Sequence, residues 1–183
     1  MTAYVLYALT LTRDLGRQIN YTAHARAIQT LITLLPLTRT QTEKMFALYV
    51  LSLNKKFFYG MMEEIEKDKS LNSYSTALLA LTYHKAGKLD KAKEVLNTLK
   101  QKKKTGIPGT VYWADENGCE WYRDSIEATA WAIRAINAIE YDKDSIAQAV
   151  NYLMLHREGS QWKSTRDTSA VVYALSDLMS KEK

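Results

Sequence analysis

Residues 118–131 read GCEWYRDSIEATAW, a polar connection rich in aromatic residues that gives way to a long apolar helix. The segment Asp124-Ser125-Ile126-Glu127 has the spacing of a capping box, with a side-chain oxygen at the cap and a glutamate three residues later. The residues that follow, 128–139, are mostly apolar on every side of the predicted helix. Because such a helix must be enclosed by other elements, this stretch predicts the inner layer of an all-α domain.

The composition is that of a globular chain. Its 183 residues, 46% hydrophobic and 25% charged, fit a single helical domain over residues 1–183. No apolar run approaches the ~18 residues that a membrane helix needs, and the first nine residues lack the features of a signal peptide. We therefore expect no membrane insertion and no targeting signal within this chain.

A basic cluster accounts for part of the net charge of +5, namely Lys100, Lys102, Lys103 and Lys104. These lysines end a predicted amphipathic helix, where cations complement the helix dipole. Because no basic face interleaved with aromatic residues accompanies them, we expect no nucleic-acid partner.

Prolines and glycines divide the chain into nine predicted helices. Their approximate ranges are 2–13, 21–35, 42–53, 57–67, 74–86, 88–103, 125–140, 144–156 and 167–179. Pro36 is expected to stop the second helix, and Gly87 to close the fifth in the left-handed conformation. Between the sixth and seventh helices, Val111-Tyr112-Trp113 and Cys119-Glu120-Trp121-Tyr122 are strand-like and flank Asn117-Gly118, so we predict a small β-hairpin near 111–122.

The predicted helices alternate in character. Odd-numbered ones join a small hydroxyl residue to an alanine-rich apolar run, such as Ser75-Thr76-Ala77-Leu78-Leu79-Ala80-Leu81, whereas the sixth has a single apolar stripe from Leu89 to Leu99. A helix that is apolar on all sides must be enclosed by other elements, and a helix with one apolar face must pack that face against another helix. This alternation predicts a ring or stack of antiparallel αα-hairpins with inner and outer layers. The ninth helix has no outer partner. We therefore expect a fragment of a larger closed domain that, alone, dimerises through its exposed ends or is marginally stable.

Candidate catalytic and metal-binding groups have structural explanations. A catalytic thiol needs a base and a metal needs several ligands, but Cys119 is the only cysteine, and His24, His84 and His156 show no ligand spacing. We interpret Cys119 as a structural or incidental thiol and expect no metal and no cofactor. The carboxylates Glu120, Asp124 and Glu127 could form a glycosidase-type pair, but helix capping explains Asp124 and Glu127 better.

Three tryptophans precede predicted inner helices: Trp113, Trp121 and Trp162. They could form a ligand platform, although wide rings at turn–helix junctions more often close the ends of a helical layer, and we favour that role. The segment from Trp162 to Thr168 predicts a turn, an N-cap at Ser164 or Thr165 and a first-turn carboxylate at Asp167.

Three stretches, in this order, resemble the thioester-containing domain of the alpha-2-macroglobulin and complement family, particularly its bacterial members. They are Leu78 to Leu99 with Gly87, Asp124 to Ala132, and Gly159 to Thr168. Thr2 to Leu6 also fits the helix that opens this half of the family's domain, so the resemblance covers nearly the whole chain. It implies an incomplete α/α toroid, corresponding to the C-terminal portion of that domain.

The resemblance carries no covalent chemistry onto this chain. The family's reactive centre is a thioester between Cys and Gln in a Cys-x-Glu-Gln motif, whereas Cys119-Glu120-Trp121-Tyr122 has no glutamine three residues after the cysteine. Cys119 is therefore not a thioester residue, and no catalytic residue is expected. What the resemblance implies is a non-enzymatic scaffold from a periplasmic or cell-envelope protein similar to protease-trapping inhibitors, with sister domains and possibly proteases as partners.

Two other functions remain open. Tyr83 to Ala92 resembles the helix–turn–helix of a peptide-binding tetratricopeptide adaptor, although the other hairpins keep no register of about 34 residues. An enzyme on the same toroid, a glycosidase or a terpenoid enzyme, would need an acidic cluster in its cavity. The inner helices offer mostly Ala, Leu, Ile and Tyr.

Overall fold

A computed structural model describes residues 2–68, 70–114 and 125–180, which contain nine α-helices and one two-stranded sheet. The helices are α1 (Thr2–Asp14), α2 (Tyr21–Leu34), α3 (Gln41–Leu53), α4 (Tyr59–Glu66), α5 (Ser73–Lys85), α6 (Leu89–Gln101), α7 (Ser125–Ile139), α8 (Lys143–Leu155) and α9 (Thr165–Met179). The strands are β1 (Lys104–Thr105) and β2 (Val111–Tyr112).

Side-chain caps fix where several helices begin. Asn20, Thr40, Asn72, Asp142 and Ser164 each accept a hydrogen bond from the backbone N–H three residues later. As predicted, Gly87 follows α5 with a positive φ of 72°. At the end of α2, a 3-10 turn over Leu35–Leu37 carries Pro36 near its start, so the chain tightens there instead of breaking off.

The described hairpin contains one of the two predicted strands. The strand at Val111–Tyr112 is confirmed, but it pairs antiparallel with the preceding Lys104–Thr105. Glycine is required in the connecting turn, because a Cβ at Gly106 would lie 2.7 Å from the hydroxyl of Thr110. The stretch Cys119 to Tyr122, which was expected to supply the second strand, lies outside the described residues.

The predicted inner and outer layers are confirmed. In α5 every residue from Ser73 to Tyr83 is buried, and in α7 every residue from Ile126 to Asn137. The odd-numbered helices pack in sequence, α1 on α3, α3 on α5, α5 on α7 and α7 on α9, while α2, α6 and α8 cover α1, α5 and α7. The result is an all-α, toroid-like arrangement of hairpins.

The two ends of this array are less covered than its middle. In α1 the buried side chains are Leu6, Tyr7 and Thr10, whereas Tyr4 and Val5 are 47% and 51% exposed. In α9 the corresponding exposed residue is Val172. These helices therefore bury one face each, unlike the enclosed α5 and α7.

An aromatic cluster joins the inner helices across the centre of the arc. The ring of Tyr7 in α1 lies 5.7 Å from that of Phe46, 6.3 Å from that of Trp131 and 5.8 Å from that of Tyr173. Trp131 also meets the ring of Tyr49 edge-on at 5.1 Å. Rings from α1, α3, α7 and α9 thus share one core, which brings the first and last inner helices together.

Arg134 of α7 lies at the edge of this cluster and is only 9% exposed. Its Nη1 donates to the hydroxyl of Tyr7 at 2.9 Å, its Nε donates to a carboxylate oxygen of Asp177 at 2.7 Å, and its guanidinium lies 4.4 Å from the centroid of Trp131. Burial raises the pKa of Tyr7, although the charge of Arg134 opposes this. Arg134 therefore ties α7 to both α1 and α9.

Replacing Arg134 with methionine should lower the free energy of unfolding by about 2–3 kcal/mol, since the buried Tyr7 hydroxyl loses its partner and Trp131 its cation. Asp177→Asn should cost less than about 1 kcal/mol, because the Asp177 side chain is 47% exposed and the asparagine Oδ1 can still accept from Arg134 Nε. Urea unfolding of both variants and the parent chain checks this. Equal losses in the two variants would contradict our inference that Arg134 stabilises the fold mainly through its contacts with Tyr7 and Trp131.

A second polar network fastens α2 to α1. Thr10 Oγ1 donates to the carbonyl of Leu6 at 2.7 Å and accepts from Asn54 Nδ2 at 3.0 Å, so its single proton is already used. The 3.2 Å contact from His24 Nε2 must therefore be a donation by the histidine, which fixes the Nε2–H tautomer. His24 is 6% exposed, and burial followed by the charge of Arg13 lowers its pKa below 6.5.

Acid should weaken the fold through His24. Its folded-state pKa lies below the unfolded value, so its contribution is fully present above about pH 6.5 and falls as pH drops toward the folded pKa. The slope from one such group is at most about 1.4 kcal/mol per pH unit. Urea unfolding between pH 8 and 5 should show this decline, and His24→Gln should flatten it. The matched control, His156→Gln at the C-cap of α8, should leave the decline in place. Loss of the decline in this control would contradict the assignment to His24.

Candidate functional site

A cavity of about 320 Å³ opens where the N-terminal ends of the inner helices meet. Each odd-numbered helix contributes residues from its first two turns, and the end of α2 completes the wall. Half of the lining residues are apolar or aromatic: Ala3, Tyr4, Leu31, Leu34, Phe46, Ala47 and Tyr74. The polar and charged lining consists of Thr2, Thr38, Thr42, Glu43, Asn72, Glu127 and Arg166. A small apolar cavity with a few polar groups is the usual form of a ligand site.

One ion pair lies in the cavity wall. Arg166 Nε of α9 donates to Glu127 Oε2 of α7 at 3.0 Å, with side-chain exposures of 36% and 10%. Burial by itself lowers the pKa of Arg166, but the charge of Glu127 and the other acidic groups around it raise it overall. The capping pattern pointed to Glu127 but gave no sign of Arg166 as its partner, which lies in a different helix. Glu127 thus bridges two inner helices.

The rim of the cavity is ordered by side-chain hydrogen bonds. Asn72 caps α5 by accepting from the backbone N–H of Ser75 at 2.8 Å, and its Nδ2 donates to Thr42 Oγ1 at 3.2 Å. Thr38 Oγ1 donates to the carbonyl of Leu35 at 2.7 Å. These bonds hold the Asn72 amide and the Thr42 hydroxyl in place at the mouth.

Two of the predicted tryptophans occupy equivalent positions. Trp113 Nε1 donates to the carbonyl of Leu99 at the end of α6 at 2.8 Å, and its backbone N–H donates to Thr129 Oγ1 of α7 at 3.0 Å. Trp162 repeats the arrangement: Nε1 donates to the Leu153 carbonyl at 2.7 Å and the backbone N–H to Thr168 Oγ1 at 3.1 Å. Each ring is buried and joins an outer helix to the inner helix that follows it.

The start of α9 follows the predicted capping pattern. Ser164 Oγ accepts from the backbone N–H of Asp167 at 3.1 Å and lies 2.6 Å from its carboxylate, and Asp167 is fully buried. Thr165 is the first helical residue, so α9 begins two residues before the predicted position. Thr168 Oγ1 also donates to the Ser164 carbonyl at 2.9 Å. The segment is a helix start, and its Arg166 lines the cavity described above.

Cys119, Glu120, Trp121 and Asp124 lie outside the described residues. Within residues 2–68, 70–114 and 125–180, no group of three His, Cys, Asp or Glu side chains is placed to hold a metal ion. Over the same ranges, no helix has the length and apolar character needed to cross a bilayer.

The lysine cluster is largely used in tertiary contacts. Lys100 pairs with Glu140 at 3.0 Å, Lys102 donates to the carbonyl of Leu71, and Lys103 lies 3.4 Å from the hydroxyl of Ser145. These lysines link the end of α6 to neighbouring turns and helices.

Replacing Trp113 with phenylalanine should lower the free energy of unfolding by about 2 kcal/mol, because the smaller ring leaves a void and the Leu99 carbonyl loses the indole donor and keeps the Lys102 N–H. Thermal or urea unfolding measures the loss. As a control, Tyr141→Phe at a side chain that is 60% exposed should change it by less than about 0.5 kcal/mol. A Trp113→Phe variant as stable as the parent chain would contradict the role of Trp113 in joining α6 to α7.

No protein-family model and no curated protein sequence matches the chain. Its structure is similar to the crystal structure of Salmonella alpha-2-macroglobulin reacted with methylamine, with a TM-score of 0.73 and 18% identity over 96% of this chain and 12% of that one. It is also similar to native alpha-2-macroglobulin from Escherichia coli spanning domain MG7 to the C-terminus, with a TM-score of 0.74 and 17% identity over 97% of this chain and 29% of that one.

The native conformation of the Escherichia coli protein determined by cryo-EM gives a TM-score of 0.73 at 18% identity, covering 97% of this chain and 12% of that one. The chain therefore spans between 12% and 29% of the length of these solved structures. At this level of identity the likeness establishes the fold. The expected fold, that of part of a bacterial alpha-2-macroglobulin, is confirmed over nearly the whole chain.

Proposed function

We propose that this chain is the C-terminal portion of the thioester-type domain of a bacterial alpha-2-macroglobulin-like protein, and that it is a non-enzymatic scaffold. The observation that carries this proposal is the fold likeness over 96% to 97% of the chain to two bacterial alpha-2-macroglobulins. The motif stretches Asp124 to Ala132 and Gly159 to Thr168 support it independently from sequence. In the parent protein, we propose, the scaffold takes part in trapping proteases in the periplasm or at the cell envelope.

The covalent step of such a trap belongs elsewhere in the parent protein. Cys119 has Tyr122, not glutamine, three residues later, so this chain lacks the residue pair that forms a thioester. One of the similar structures had been reacted with methylamine and another activated with trypsin. We assign any such reactivity of the parent to residues outside this chain.

The partners of the scaffold are sister domains of the parent protein. The half-covered helices α1 and α9 expose Tyr4, Val5 and Val172, which are suitable for packing against further helices of the same toroid or against a neighbouring domain. In the purified chain, a second copy can cover the same surfaces. We assign the contacts with proteases to the assembled parent protein and no protease-binding site to this chain alone.

The isolated chain should neither inhibit trypsin nor take up methylamine. Intact-mass measurement after methylamine treatment should give an unchanged mass, and trypsin activity on a small substrate should be unchanged at equimolar chain. The full-length parent should retain trypsin through gel filtration, and a parent lacking residues 1–183 should not. Stoichiometric inhibition by the isolated chain, or a parent that never retains trypsin, would contradict the proposal.

A further inference from the structure

We propose that the cavity at the N-terminal ends of the inner helices binds an uncharged apolar side chain of a peptide, with the adjoining peptide carbonyl on the hydroxyl of Thr42. This inference rests on the cavity itself and is independent of protease trapping. Its volume of about 320 Å³ lies at the lower end of the roughly 300–1,000 Å³ range of ligand pockets. The occupant is therefore of amino-acid size.

The wall favours an apolar group. Phe46 and Ala47 are buried in α3 and Tyr74 in α5, and their side chains line the cavity with Ala3 and Leu31. The rings of Tyr4 and Phe46 are 4.5 Å apart and tilted by 32°, so two aromatic side chains form one part of the wall. An aliphatic or aromatic side chain placed there removes apolar surface from water on both partners.

The charges select a neutral occupant. The lining holds two carboxylates, Glu43 and Glu127, and one guanidinium, Arg166, which gives a formal charge of −2 + 1 = −1. Arg166 is paired with Glu127, whereas Glu43 is exposed. First-turn acids already complement the helix dipoles of α3, α7 and α9. A free carboxylate is therefore repelled, and an ammonium group loses its hydration in an apolar wall.

Thr42 provides the polar contact that an amide needs. Its Oγ1 accepts from Asn72 Nδ2, which leaves the hydroxyl proton to be donated, and in the described part of the chain no acceptor for that proton is found. Asn72 is held by capping α5, so the hydroxyl is positioned in advance. A peptide carbonyl at the mouth of the cavity accepts the hydrogen bond from the Thr42 hydroxyl.

The test uses N-acetyl-phenylalanine amide as the probe and follows its binding by two-dimensional NMR of the whole chain. Saturable shifts at Phe46, Ala47 and Tyr74 are expected, with a Kd on the order of 1 mM for a ligand of this size. N-acetyl-lysine amide and the free acid N-acetyl-phenylalanine should each bind at least about tenfold more weakly, because each brings a charge to the cavity.

Three variants test whether the amide binds in the cavity and whether it contacts Thr42. Ala3→Leu fills the cavity and should weaken binding of the amide at least about tenfold, whereas Ala8→Leu, on an exposed position of the same helix, should leave it unchanged. Thr42→Val keeps the shape and should weaken the amide about threefold to tenfold. The spectrum of each variant without the probe should match that of the parent chain away from the substituted residue, which shows that the variant is folded.

The proposal is overturned by shifts that do not saturate, by equal binding of the three probes, or by undiminished binding to Ala3→Leu. Undiminished binding of the amide to Thr42→Val would refute the proposed hydrogen bond between the Thr42 hydroxyl and the peptide carbonyl. These outcomes do not bear on the scaffold function, which is tested through the full-length parent.

Discussion

The buried guanidinium of Arg134 is the interaction on which the arrangement of inner helices depends. It reaches Tyr7 of α1 at 2.9 Å and Asp177 of α9 at 2.7 Å from a position in α7. A cation that is 9% exposed loses most of its hydration, so it must be paired with fixed partners. Those partners lie on the two end helices of the array, so satisfying the charge also brings α1 and α9 around a common aromatic centre.

Contacts between layers and contacts among inner helices play different parts. Trp113 and Trp162 each join an outer helix to the inner helix that follows, through an indole N–H and a backbone N–H. The pair of Glu127 and Arg166 links α7 to α9 at their N-terminal ends. Because the odd-numbered helices are held around one centre, their first turns surround a cavity. The cavity is therefore a consequence of the toroid-like fold and is lined by whatever residues begin the helices.

Much of the fold follows from local sequence, and most of the site does not. Gly87, the all-apolar α5 and the one-sided α6 are local patterns, so the layers could be predicted. The pairing of Val111–Tyr112 with the preceding Lys104–Thr105, across a turn that contains Gly106, was not predicted because Lys104–Thr105 has no strong strand pattern. Arg134 was not singled out from the sequence, because its partners Tyr7 and Asp177 are far away in sequence and depend on tertiary packing.

The measurement that tests the central role of Arg134 most directly is native-state hydrogen exchange along the whole chain at increasing urea. If Arg134 couples the end helices to α7, the buried amides of α1, α7 and α9 should open in one cooperative unit, while α2, with only His24 and Leu31 buried, opens earlier. Opening of α1 or α9 at much lower urea than α7 would contradict the account, because those helices would then be held independently of the arginine.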